Sequence, residues 1–318
     1  MARILIARFH SLGDVVLATG IADRLRAGGA EVVAATRPAL RPVFEGLVPE
    51  VLSADGLQTA GRFSRVIDLQ ANATSRRLLS GLGPVARTRS RSFARRWIVF
   101  WGRRSPRPRV PHAVERYAEP AGLGGTPRAR LRPRIAVTDR DREEAADGFP
   151  LSWERTGRSC IGLATGGSRR MKRWPEDRFA RLRTGLEREG WNGLRFEPPD
   201  DGGSEEPGVV RAPLRPLKAL LSRCRAVVTN DSGVMHLAVG LSVPVVALFG
   251  STVREFGFAP LGPRDRLLEV DLACRPCAVH GARFCWQGHG ACLGGIGVEQ
   301  VREAVLRCVR ERGNDGLD

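Results

Sequence analysis

Arg3-Ile-Leu-Ile-Ala-Arg8, then Phe9-His-Ser-Leu-Gly-Asp14, then Val15 to Arg26 is the stretch that decides the fold. Its first piece is short and β-branched, its second is a break built from Ser, Gly and Asp, and its third spaces apolar residues as a helix does. A strand that passes through a glycine turn into a helix opens a βαβ unit, and a second strand, Glu31-Val-Val-Ala-Ala35, follows at once. The alternation runs on through Val66-Ile-Asp-Leu69 and predicts a parallel sheet.

Working outward, the Pro/Gly/Arg-rich passage Pro120 to Pro133 and the charged stretch Asp139 to Asp147 read as the approach to a domain boundary near residue 155. A second βαβ series starts beyond it. Ser159-Cys-Ile-Gly-Leu-Ala164 is a strand, Gly166-Gly-Ser168 a turn, and Pro175 to Glu189 a helix with proline near its start, where no N–H is needed. Ala226-Val-Val-Thr229 and Val243-Pro-Val-Val-Ala-Leu-Phe249 are buried-strand candidates around a helix at His236 to Gly240, and Val298 to Glu311 is the last helix. The reading is two α/β domains, 1–155 and 156–318, with a return of the last helix onto the first domain left open. A chain of 318 residues, 42% hydrophobic, supports two cores of ordinary size.

The charge is lopsided. Lys and Arg together number 51 against 34 Asp and Glu, a formal charge of +17, and lysine occurs only at 172 and 218, which leaves 49 arginines. Arginine on this scale beside 37 glycines fits a GC-rich coding bias, so much of it reads as solvated surface. The densest positive stretch is different in kind: between Asp68 and Glu115 there is no acid, yet arginine stands at 76, 77, 87, 89, 91, 95, 96, 103, 104, 107 and 109. Nucleic acid, an anionic membrane face and a phosphorylated substrate all fit such a balance. No apolar run reaches the roughly 20 residues of a membrane span, and charges interrupt the opening residues where a signal's apolar region would lie, so a cytoplasmic protein is expected.

Three strand-to-helix turns carry glycine and small polar residues: Ser11-Leu-Gly-Asp14, Thr165-Gly-Gly-Ser168 and Asn230-Asp-Ser-Gly-Val-Met-His236. Helix N-termini at the carboxyl ends of parallel strands offer unpaired N–H groups to phosphate. Each turn alone reads as well as a capped tight turn; three in two α/β halves favour a phosphate-bearing ligand. Lys172, just before the proline-started helix, is a compact cation in an arginine-saturated chain, suited to a diphosphate that changes charge. Lys218 has no motif around it and reads as chance survival.

With those blocks assembled, the chain resembles glycosyltransferase family 9, the bacterial ADP-heptose:lipopolysaccharide heptosyltransferases. The resembling segments are Ile4 to Val16, His112-Ala-Val-Glu-Arg-Tyr117, Lys172-Arg-Trp-Pro-Glu176, and Thr229 to Ala238 continuing into Pro244-Val-Val-Ala-Leu-Phe-Gly-Ser-Thr252. The resemblance implies a GT-B fold, in which an N-terminal acceptor domain and a C-terminal nucleotide-sugar domain, both Rossmann-like, face each other across a cleft. It implies metal-independent, inverting transfer, which needs a base for the acceptor hydroxyl and charge relief for the leaving diphosphate.

Residue by residue, Asp14 matches the family's base, with a plain helix cap as the bland alternative. Lys172 matches the diphosphate lysine and Ser168 a hydroxyl on phosphate. Asp231 is expected on the donor sugar, Ser232 and Gly233 on the diphosphate, His236 on the donor side of its helix, and Ser251 and Thr252 closing the same pocket. Asn72, Ser75, Arg76 and Arg77 resemble the acceptor-facing loop, where basic residues meet an anionic glycolipid. Arg95-Arg-Trp97-Ile-Val-Phe-Trp101 interleaves cations with aromatics, as a helix resting on the inner membrane would, though core packing explains it equally. A monomer without cofactor is expected, with the nucleotide sugar as substrate.

Two features depart from that pattern. Where the family carries an acid for the ribose, this chain has Arg195-Phe-Glu-Pro-Pro-Asp-Asp-Gly-Gly-Ser-Glu205, with Glu197 as a substitute, so the donor nucleotide stays open. Cys274, Cys277, Cys285 and Cys292 taken alone suggest tetrahedral zinc; beside the family's similar Cys-x-Pro-Cys segments a metal is not favoured, and no metal ligand is assigned. The alternatives are another GT-B nucleotide-sugar enzyme, with a different donor or an epimerase, and a basic nucleic-acid-binding protein with a four-cysteine metal module.

Overall fold

The computed structural model describes residues 1–89, 92–101, 110–149, 159–198 and 208–313. Position 155, the stretch Pro199 to Glu205 and the arginines at 91, 103, 104, 107 and 109 lie outside them. The described residues divide into two compact units, Met1–Arg91 with Pro111–Thr138, and Ser92–Val110 with Asp139–Asp318.

In the first unit, strands β1 (Arg3–Ala7), β2 (Glu31–Ala35), β3 (Glu50–Leu52), β4 (Arg65–Asp68) and β5 (Val85–Arg87) form an all-parallel sheet in the order β3-β2-β1-β4-β5. The β-branched runs are the reason: a parallel sheet is covered on both faces, so its strands are apolar throughout, and β1 and β2 are buried at four of five positions. Helices α1 (Leu12–Ala27), α2 (Ala73–Leu78) and α4 (Ala113–Ala121) belong here; α3 (Ser92–Trp101) belongs to the second unit.

Helix α1 is buried from Val15 to Ala22 without a break, because it is flanked by the sheet on one side and by α4 and the 128–131 turn on the other. Gly20 makes that possible. A Cβ there would stand 2.4 Å from the Leu131 carbonyl oxygen and 2.5 Å from that of Arg132, so only glycine lets the turn lie on the helix.

The second unit repeats the plan with six parallel strands, β6 (Cys160–Ala164), β7 (Asn192–Phe196), β8 (Val209–Val210), β9 (Cys224–Asn230), β10 (Val245–Phe249) and β11 (Arg266–Glu269), ordered β11-β10-β9-β6-β7-β8. This is the doubly wound order, reversing between β6 and β9, as the first sheet reverses between β1 and β4. Helices α5 (Asp139–Gly148), α6 (Glu176–Arg188), α7 (Leu214–Ser222), α8 (Gly233–Gly240), α9 (Ala291–Gly294) and α10 (Val298–Gly313) complete it.

One expectation changes here. The charged stretch Asp139 to Asp147 forms helix α5, packed on α7 through the fully buried pair Asp141 and Lys218, whose Oδ2 and Nζ are 2.8 Å apart. Lys218 therefore has a structural reason to be lysine. The last helix, α10, buries Val301, Val305 and Cys308 in the second core beside Phe179 and Leu182 of α6.

Candidate functional site

Both candidate sites sit where the strand order reverses, since that is where two neighbouring crossovers leave in opposite directions and open a crevice at the carboxyl edge. In the first unit these are the segments after β1 and β4. Asp14 lies in the first turn of α1, three residues past the cap position at Ser11, whose side chain makes no cap hydrogen bond. Its carboxylate is held from two sides: the Tyr117 hydroxyl donates to Oδ1 at 2.5 Å, Arg8 Nη2 is 2.7 Å from Oδ2, and the Ser11 hydroxyl donates to Oδ2 at 3.0 Å. Arg8 also donates from Nη1 to the Leu69 carbonyl at 2.5 Å, tying the β1 turn to the end of β4.

The electrostatics follow from this geometry. Burial, and then the Asp14 carboxylate, push the Tyr117 hydroxyl far above the usual phenol range, so it is a proton-bearing donor. His10, in contact with Gln70 at 2.9 Å, is held below the usual imidazole range by burial and by Arg37 and Arg8.

The loop after β4 is organised around Asp68. Its Oδ1 accepts from the backbone N–H of Gln70 (3.0 Å) and Ala71 (2.8 Å), and its Oδ2 from the Ser75 hydroxyl (2.9 Å). Asn72 and Ser75 form a reciprocal capping box at the start of α2, at 2.9 and 3.1 Å, and Ser75 is fully buried. Their polar groups are thus engaged internally; what this loop turns outward is Arg76 and Arg77, both exposed.

In the second unit the turns after β6, β9 and β10 are neighbours because those strands are. Buried Asn230 joins the first two: its Nδ2 donates to the carbonyls of Thr165 (2.9 Å) and Gly166 (3.1 Å), and its Oδ1 accepts from the Trp174 N–H (2.9 Å). Asp231 gathers the rest. One oxygen, Oδ2, is 2.7 Å from Lys172 Nζ and accepts the Thr252 hydroxyl at 2.7 Å. Lys172, expected on the diphosphate, Asp231, expected on the donor sugar, and Thr252, expected to close the same pocket, thus meet at one point. Ser232 stands at the cap position of α8 without a side-chain cap bond, its hydroxyl 3.2 Å from that of Thr229, and the first N–H groups of α8 have no partner within the helix. Ser168 is exposed. Ser251 is buried, its hydroxyl accepting from the Ala282 N–H at 3.2 Å, and His236 is buried edge-on to Phe258.

The segment carrying the clustered cysteines braces this site. Arg275, 3% exposed, donates to the carbonyls of Gly250 (2.5 Å), Phe249 (3.2 Å) and Thr252 (2.7 Å), and pairs with Glu269 at 3.0 Å. The Cys277 N–H donates to the Ser251 carbonyl at 3.1 Å. Gly281, at φ +83°, lies against the Lys172 stem, where a Cβ would be 2.6 Å from Cγ and Cδ. All seven cysteines are free, and among the described residues no three histidine, cysteine or acidic side chains are grouped to hold a metal ion. Cys285 accepts the Gly290 N–H at 3.4 Å. Glu197, past the end of β7, is paired with Arg195 and, at 2.6 Å, with Arg211.

The family model of glycosyltransferase family 9 (heptosyltransferase) matches residues 58–286. This chain belongs to that family. The curated relatives include lipopolysaccharide heptosyltransferase 2 of Salmonella typhimurium, 31% identical over 183 residues (50% of this chain and 51% of the relative), and lipopolysaccharide heptosyltransferase 1 of Pseudomonas aeruginosa, 30% identical over 202 residues (59% and 51%). The chain spans about half the length of these curated relatives in the match. Among solved structures, a family 9 glycosyltransferase from Veillonella parvula superposes with a TM-score of 0.74 at 22% identity, covering 98% of each chain. ADP-heptose lipopolysaccharide heptosyltransferase II of E. coli gives 0.72 at 22% identity, covering 98% of this chain and 100% of its own. The fold is GT-B, as the resemblance implied.

For a family 9 chain, the residues that sequence reading passed over are as telling as those it named. Tyr117 stands in a block that resembles the family, but nothing in its spacing announces that it reaches Asp14 across 103 positions. Asn230 opens a motif whose later residues drew attention. Arg275 was hidden among 49 arginines; the available signal was its place between Cys274 and Pro276, inside a segment with no regular structure of its own.

Proposed function

We propose that this chain is an inverting, heptosyltransferase-like glycosyltransferase that transfers a sugar, heptose from an ADP-linked donor, to a lipopolysaccharide core or a related surface glycan. The observation that carries the reading is the meeting of Lys172, Asp231 and Thr252 at the turns after β6, β9 and β10, beside the start of α8. A cation, a hydroxyl and unpaired helix N–H groups at one crevice suit a nucleotide diphosphate. In the ligand-free chain Asp231 holds the ammonium of Lys172; the arriving diphosphate takes over that cation, leaving Asp231 to accept from donor-sugar hydroxyls. Ser168, Ser232, Gly233, His236 and Ser251 belong to the same donor region.

The first unit supplies the other half of the reaction. Asp14 takes the proton of the acceptor hydroxyl as its oxygen attacks the anomeric carbon from the face opposite the leaving diphosphate, which departs with the bond electrons onto Lys172 and the α8 terminus. Tyr117 and Arg8 fix the carboxylate's orientation. Arg76 and Arg77 meet the anionic groups of the glycolipid acceptor, and the enzyme works as a monomer at the cytoplasmic face of the inner membrane, in peripheral contact with it. Family membership favours this reading over nucleic-acid binding.

Thermal melts in the presence of ADP-, GDP- and UDP-linked sugars test the donor. ADP-heptose is expected to raise Tm and the others to leave it unchanged. Stabilisation by GDP- or UDP-sugars alone would overturn the donor assignment, and no response to any of them would overturn the transferase reading itself.

A further inference from the structure

Helix α3 is apolar on two faces, and only one of them is covered. Ile98 is buried, and Ala94 and Val99 partly so, against Val253, Phe256 and Phe258, with the Arg95 guanidinium 4.7 Å from the Phe258 ring centre. The opposite stripe carries Phe93, Trp97, Phe100 and Trp101, which are 78%, 40%, 81% and 44% exposed. They form a continuous ladder, with ring centres 6.3 Å apart for Phe93 and Trp97, 5.5 Å for Trp97 and Trp101, and 5.4 Å for Phe100 and Trp101. Exposed Arg96 lies on the same stripe, one turn from both phenylalanines. Single exposed aromatics are ordinary on a protein surface; four stacked together on one helix are not.

We infer that this face of α3 is a docking surface for an anionic lipid bilayer. Bulky aromatics with an arginine among them suit the headgroup boundary, where rings enter the acyl edge and the guanidinium stays with phosphate. Charge selects the occupant. The helix lies inside the acid-free stretch from Asp68 to Glu115, which holds 11 arginines. A second copy of the chain would oppose Arg96 with like charge and supply no acid from this region, whereas anionic lipid supplies the missing sign. Four aromatic rings around one arginine also suit lipid better than a phosphate backbone. The inference deepens the glycolipid-acceptor reading and rests on it for the reason a membrane would be visited.

The full chain is sedimented with vesicles of phosphatidylcholine alone and of equal parts phosphatidylcholine and phosphatidylglycerol. Binding is expected to the anionic vesicles only and to weaken with salt. Phe93→Ser with Phe100→Ser should lower the partition coefficient about tenfold or more, since each loses a buried ring. Arg96→Glu should weaken it as well. Both phenylalanines are exposed, so thermal melts should show the double variant folded, and its response to ADP-heptose should be unchanged. That separates this test from the donor assignment. Equal binding by the variants, equal binding to neutral vesicles, or a concentration-dependent dimer that the double variant abolishes would each overturn the inference.

Discussion

The hydroxyl of Tyr117 donates a 2.5 Å hydrogen bond to Oδ1 of Asp14, joining α4 to the first turn of α1. The phenol is buried and keeps its proton, so the carboxylate has a permanent donor on one oxygen and Arg8 on the other. Donors on both oxygens fix the orientation of the carboxylate. Tyr117→Phe removes the donor without changing the ring's volume, and is expected to lower kcat/KM about tenfold with donor affinity unchanged. Steady-state kinetics beside calorimetric ADP titration check it; unimpaired kcat/KM would mean that the bond is structural only.

Asp14→Ala should go much further. A general base typically contributes about 10²- to 10⁴-fold, so transfer should fall below detection while nucleotide binding by the second unit is retained. Transfer within a few-fold of the unaltered chain would remove Asp14 as the base.

Lys172 is confined by its neighbours as well as paired. Its ammonium meets Asp231, and its stem runs against Gly281. Lys172→Ala should weaken ADP binding by about tenfold to a hundredfold, the range of a charge-assisted contact. Gly281→Ala keeps every charge but strains a φ of +83° and crowds the lysine stem, so it should weaken the same affinity in the same direction. Calorimetry on both variants is the check, and an unaffected Lys172→Ala titration would dissociate the lysine from the diphosphate.

The clustered thiols are predicted to differ in reactivity. Backbone N–H groups, that of Gly290 foremost, hold the Cys285 thiol below the usual range, while burial pushes Cys277 up to about 11. Because the thiolate is the nucleophile, a depressed value means more of it at a given pH. Between pH 7 and pH 8, on the order of neutrality, iodoacetamide should therefore label Cys285 before Cys277, with Cys277 catching up only as the solution becomes strongly alkaline. Peptide mass spectrometry of timed samples decides it, and a Cys277 that reacts first would contradict the assignment.

What was legible in the sequence was whatever depends on neighbours along the chain. The β-branched run at Ile4 to Ala7, the glycine turn and the apolar helix after it lie within about 25 residues, and β1, α1 and β2 form where that pattern puts them. The strands without a signal include β3, β5 and β8, two or three residues long at the sheet margins, where pairing with a formed neighbour decides the conformation. In the site, Asp14, Lys172 and Asp231 stood out because they sit in dense local motifs. Tyr117 and Arg275 act across the fold, and no local pattern announces that the Ser75 hydroxyl accepts from the Asn72 N–H and donates to Asp68. Composition misled once: lysine scarcity singled out Lys172 but made Lys218 look accidental.

Lys218 provides the sharpest test of the second unit's packing. Its ammonium and the Asp141 carboxylate are 2.8 Å apart and both are fully buried, with Arg215 3.6 Å from the other carboxylate oxygen. A buried pair gains little over an apolar pair of the same volume, because desolvation offsets most of the attraction, but removing one member strands the other charge. Lys218→Met should therefore destabilise the chain by about 3 kcal/mol, toward the lower end of what a broken buried pair costs, because Arg215 remains to meet Asp141. Adding Asp141→Leu removes the stranded carboxylate and should restore most of the loss, so the two changes are strongly non-additive. Denaturant unfolding of the two single variants and the double variant measures the coupling; simple additivity would mean that α5 and α7 are joined by their apolar contacts and that the ion pair is incidental.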